Sequence, residues 1–94
     1  MTWPKRDYND PHYKKFRTDV LKRDKFTCQM CGSKKKYDLQ VHHLSKWADS
    51  PTLRYERSNG ICLCKQCHKQ ITGYETAYAG YLYELVKRNE RKAP

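Results

Sequence analysis

The sequence predicts a small α+β fold: two short strands and a short helix, with an amphipathic helix on either side. Three observations predict it. Apolar residues recur at helical spacing after Asp10 and again after Tyr74. Two short apolar runs, LQVHHL and GICLC, read as strands, and cysteines recur in two like-spaced pairs, Cys28-x2-Cys31 and Cys64-x2-Cys67.

Ninety-four residues make one domain, 1–94, and only 37% of them are apolar against 32% charged, so a core of this size is marginal without a staple. The formal net charge of +10 favours a polyanionic partner, nucleic acid before an anionic membrane surface, with a merely soluble basic protein as the plain alternative. No apolar run approaches the roughly 20 residues of a membrane span, and MTWPKRDYND lacks the apolar segment of a secretory signal. The expectation is a cytoplasmic protein, in which cysteines serve as metal ligands or free thiols before disulfides.

Residues 1–9 read as an arm carrying Trp3. Asp10 can cap a helix with Pro11 at its first position. Tyr13, Phe16, Val20 and Leu21 then share a face, while Lys14, Lys15, Arg17, Lys22 and Arg23 lie mostly on others, which predicts an amphipathic helix over 10–23. A first cysteine knuckle and the basic turn GSKKK lead into a strand through Leu39, Val41 and His43. SKWADSPTLRYERSNG, with Pro51, reads as a connecting loop. GICLC is the second strand, and KQCHKQITG makes a short helix closing near Gly73. Ala77, Tyr78, Tyr81, Leu82, Leu85 and Val86 predict a final amphipathic helix over 74–88.

Two Cys-x2-Cys knuckles supply the four soft ligands of a closed, tetrahedral structural zinc site, with Cys28, Cys31, Cys64 and Cys67 as ligands. Such a site contributes on the order of 10 kcal/mol to folding. Cys62, in the second strand, is expected to be a buried thiol. One residue step on a helix turns about 100°, so His68 faces away from the direction Cys67 uses and is available to another centre. His42 and His43 come from the first strand, and Asn59 stands at the entry to the second. Taken singly, each histidine is more often a packing or surface residue. Grouped around two knuckles, three imidazoles and an amide point to an open divalent-metal site suited to hydrolysis. One of the adjacent histidines can ligate the ion while the other removes a proton from water, with Asn59 orienting an imidazole. Neighbours on a strand point to opposite faces, so both can serve one site only if the chain leaves ideal strand geometry near Leu44.

CQMCG, LQVHHL, SNGICLCKQCHK and their spacings resemble the HNH endonuclease family with its ββα-metal core, and particularly its small phage-type members with a four-cysteine zinc site. The resemblance covers about Cys28 to Lys69 and makes 28–73 the zinc-pinned core of a single HNH nuclease domain. It implies that His42 and His68 ligate one catalytic divalent ion (Mg²⁺, Mn²⁺, Ni²⁺ or Zn²⁺), that His43 is the general base, and that Asn59 is the middle letter of the name. The implied activity is that of a DNA endonuclease or nickase on double-stranded substrate, acting as a monomer or weak dimer, in a bacterial host cell if phage-encoded. Lys34, Lys35, Lys36, Lys46, Arg54, Arg57, Lys65 and Lys69 are the candidate phosphate contacts by location. The alternatives are a non-catalytic zinc-stabilised nucleic-acid-binding module and a phage packaging accessory active only with partner proteins.

Overall fold

In the computed structural model, residues 10–44 and 55–92 are described. Trp3 and the arm, the loop residues 45–54, and with them Lys46 and Arg54, lie outside the described residues. The order of elements is α1 (Pro11–Arg23), β1 (Leu39–His43), β2 (Gly60–Cys64), α2 (Lys65–Ile71) and α3 (Glu75–Lys92), with short 3-10 turns at Lys36–Asp38 and Arg57–Asn59. This is the expected ββα core between two amphipathic helices.

Helix α1 starts where its cap dictates. The Asp10 carboxylate accepts the His12 N–H at 2.9 Å, and Pro11 occupies the first turn, where a missing N–H costs nothing. Phe16, Val20 and Leu21 are buried as expected. Arg23, expected on a solvent face, is buried too, because it falls seven residues after Phe16 on the same stripe.

β1 and β2 pair antiparallel, Leu39 with Cys64 through His43 with Gly60. Every residue of β2 is buried. Its outer edge is closed at Cys62, whose N–H donates to the Asp24 carboxylate at 2.9 Å and whose carbonyl accepts from Gln29 N–H at 3.0 Å. An edge strand so covered presents no free ladder at that residue. Ile61, Leu63, Leu39, Ile71, Leu82, Leu85 and Val86 form the core around the hairpin.

The backbone of Gly60 is ordinary extended chain, yet a side chain has no room there. A Cβ would lie 2.8 Å from Phe16 Cζ, 2.8 Å from Val20 Cγ2 and 3.1 Å from Val41 Cγ1. Glycine is therefore what lets α1 close onto the hairpin at the end that carries His43.

Helix α2 ends at Thr72 and Gly73, whose positive φ of 87° suits a residue without Cβ. Helix α3 runs to Lys92, beyond the expected Arg88. Leu82, Leu85 and Val86 face the core, whereas Tyr81, placed on the apolar stripe by spacing alone, is 49% exposed. Among the described residues no helix is long and apolar enough to cross a membrane.

Candidate metal centre and histidine site

Both cysteine pairs sit at chain reversals. In the first, Gly32 (φ 82°) donates its N–H to the Cys28 carbonyl at 2.9 Å and Cys28 N–H donates to Ser33 O at 2.8 Å. In the second, Cys64 caps α2 and Cys67 lies in its first turn. The backbone N–H of Cys31 points at Cys28 Sγ (3.5 Å) and that of Cys67 at Cys64 Sγ (3.4 Å), the same arrangement twice. All four sulfurs lie within 4.8 Å of one another, with 3.6 Å between those of Cys31 and Cys64. A tetrahedral ion with arms of about 2.3 Å holds its sulfurs roughly 3.8 Å apart, so the residues present fit a zinc ion.

The electrostatics ask for a cation. Burial pushes the Cys28 thiol up, but N–H donors from Cys31, Cys64 and Met30 outweigh it and bring the group down to about 7. Cys67 is raised, first by burial and then by its sulfur neighbours. Four thiolates this close are mutually destabilising unless a positive ion stands among them. Cys62 lies outside the cluster, fully buried, its thiol pushed up to about 12 by burial and by the Asp24 carboxylate.

The histidines divide along the strand. His42, on β1, and His68, on α2, bring their rings to 5.4 Å between centroids at 64°. Burial first, then the neighbouring imidazoles of His68 and His43, hold His42 at about 4, so its ring is neutral at pH 7. His43 turns to the other face. It is buried, 7% exposed, and stacks on Phe16 of α1 at 4.8 Å and 19°. β1 ends at His43, Leu44 begins a bend, and Leu44 N–H donates to the Asn59 carbonyl at 2.8 Å. Buried Asn59 thus stands at the same end of the hairpin as His43, in the 3-10 turn before Gly60.

The expected phosphate contacts separate into groups. Lys65 and Lys69 border a hollow with His68 and Gln40. Next to it, Tyr13, Lys14 and Arg17 of α1 line a second hollow that shares Gln40 and His68. Lys14 and Arg17 were legible only as a solvated helix face, since no local signal says that α1 crosses β1. Lys34 and Arg57 lie elsewhere, in a hollow with Lys22, Lys25 and Lys92. Arg57 is moreover engaged by Glu90, Nη2 to Oε1 at 2.9 Å and Nε to Oε2 at 2.8 Å, so its charge is already compensated. Lys35 is exposed, and Lys36 Nζ lies 5.9 Å over the Phe26 ring.

A two-stranded hairpin, a helix capped by a cysteine of the four-sulfur cluster and a pair of imidazoles across strand and helix define a ββα-metal type of domain. Residues 28–73 match the family model described as HNH endonuclease. No curated protein and no solved structure matches the chain.

Proposed function

We propose that the protein is a metal-dependent DNA endonuclease or nickase. The observation that carries this reading is the His42–His68 pair, two imidazoles from strand and helix at 5.4 Å in a core that matches the HNH family. These two would hold one divalent ion, whose chemistry is to stabilise charge on the scissile phosphate and the leaving oxygen. His43 takes the proton of the attacking water. Stacking on Phe16 fixes the plane of its imidazole, and Asn59 completes the support at that end of the hairpin. Lys65, Lys69, Lys14 and Arg17, around Gln40 and His68, carry the phosphate backbone.

The burial of His43 against Phe16 favours one second reading, a zinc-stabilised nucleic-acid-binding module in which this imidazole only packs. A single experiment separates the two. Plasmid DNA is incubated with Mg²⁺, Mn²⁺ or Ni²⁺ and either the wild type or His43→Ala, with zinc content measured on both. Cutting by the wild type and loss of it in a zinc-replete His43→Ala protein supports the nuclease. Equal cutting by both removes His43 as the base, and DNA binding without cutting under every ion supports the module.

A further inference from the structure

Among the described residues, Arg23 has the least expected environment. Its side chain is 0% exposed, and all five guanidinium N–H groups are used. Nε donates to Asp24 Oδ1 (2.9 Å) and Nη2 to Asp24 Oδ2 (3.0 Å). Nη2 also donates to the Gly60 carbonyl (2.6 Å), and Nη1 to the Arg57 carbonyl (2.7 Å) and to Glu90 Oε2 (3.1 Å). Asp24 is satisfied in turn by Cys62 N–H (2.9 Å) and by the Asn89 amide (2.9 Å).

The two carbonyls matter because of what lies between them. Arg57 opens the 3-10 turn and Gly60 follows it, so one guanidinium holds both ends of the segment that carries Asn59. Releasing either carbonyl would leave a buried charged donor without a partner, which folding resists strongly. The far side of the clamp belongs to α3. Glu90 accepts from Arg23 and grips Arg57 with both oxygens, and Asn89 reaches Asp24 and Gln29. Asn89 and Glu90 continue the stripe of Leu82, Leu85 and Val86 by one more turn, with polar groups where the earlier turns carry apolar ones.

We propose that Arg23 is a positioning residue for Asn59 and that Glu90 sets its hold, which makes the C-terminal helix, outside residues 28–73, a working part of the site. The inference rests on the reading that Asn59 acts beside His43, but its first test does not. Backbone amide exchange is measured on the zinc-loaded wild type, Glu90→Gln and Glu90→Ala. The Leu44 amide bonds to Asn59 O and the Asn59 amide to Glu56 O, whereas Phe26 and Cys28 amides, bonded to Leu21 O and Ser33 O, serve as references. The expected result is exchange faster by about tenfold or more at Leu44 and Asn59 with the references nearly unchanged. No acceleration there, or equal acceleration everywhere, overturns the proposal. Arg23→Lys is a second variant; should it fail to fold, the Glu90 pair still decides.

The second arm reads catalysis. Glu90→Gln is expected to lower kcat by about tenfold with KM unchanged, and to have no further effect in an Asn59→Ala background. Additive losses in that double variant would mean that Glu90 acts elsewhere, against the proposal. If no form of the protein cuts DNA, the nuclease reading fails while amide exchange still judges the clamp.

Discussion

Replacing Gly60 by alanine adds one methyl group at the point where α1 touches the hairpin, and the structure says what that methyl meets. Two contacts at 2.8 Å and one at 3.1 Å are closer than carbon atoms tolerate, so a neighbour must move. Val20 is fully buried on a helix, where a β-branched side chain has one strongly preferred rotamer. Phe16 is the part that can give, but it is 2% exposed and stacked on His43. Overpacking of this kind costs about 1–3 kcal/mol. The loss of glycine's freedom in the unfolded chain returns about 0.4–1 kcal/mol, since φ −124° and ψ 151° suit alanine without strain. The net expectation is about 1–2 kcal/mol of destabilisation. For a domain of this size that lowers the melting temperature by roughly 5–15 °C. Thermal melts of the zinc-loaded protein read the first effect, and the ring-proton shifts of His43, displaced as Phe16 moves, read the second. A melting temperature unchanged within about 2 °C, with His43 resonances in place, would refute the packing argument and with it the claim that Phe16 fixes the imidazole.

The remaining predictions address the metal, the acid range and the fifth cysteine. Chelation of zinc, or Cys67→Ser, is expected to abolish the cooperative thermal transition seen by circular dichroism, because the site contributes on the order of 10 kcal/mol against a total of about 5–15. The His42 ring resonances should titrate near 4 rather than near the ordinary 6.5. A depressed value means that the unfolded chain binds the proton more readily, so this contribution to stability is complete above 6.5 and is lost as pH falls towards 4; urea titrations should show His42→Asn flattening that slope. Cys62, buried and with its thiol near 12, should resist alkylation at pH 8 in the native protein and react fully in denaturant, as peptide mapping would show.

Most of the fold was legible because its signals are local. Asp10 and Pro11 mark the start of α1, the cysteine spacing marks both knuckles, and the stripe through Leu82, Leu85 and Val86 marks α3. What the sequence hid are the consequences of packing between elements. Arg23 read as a solvated charge and Glu90 lay beyond the expected end of the last helix, although their spacing from Phe16 and from Leu82 places both on the core-facing stripes. An ion pair that completes such a stripe cannot be told from a frayed amphipathic pattern until its partners are known. Lys14 and Arg17 were hidden for the same reason: their place beside His68 depends on how α1 crosses β1, which no single element records. Tyr81 errs in the opposite direction, apolar in pattern yet half exposed, because the core against α3 is filled by Leu82, Leu85 and Val86.

The adjacent histidines show how one geometric rule can organise a site. Strand alternation forces His42 and His43 apart, and the fold gives each face its own neighbour: α2 with His68 on one side, α1 with Phe16 on the other. The ligand role proposed for His42 calls for a second imidazole and a proton-free ring, and His42 has His68 beside it and burial that holds it neutral. The base role proposed for His43 calls for a fixed ring plane, and stacking on Phe16 supplies one. The strand stops at His43, and the bend that follows at Leu44 is tied to the Asn59 carbonyl. The same carbonyl belongs to the turn that Arg23 clamps, so the hairpin end, helix α1 and helix α3 are joined in one hydrogen-bonded chain. The network also reaches the first cysteine knuckle, because Gln29, between Cys28 and Cys31, accepts from the Asn89 amide and donates to the Asp24 carbonyl.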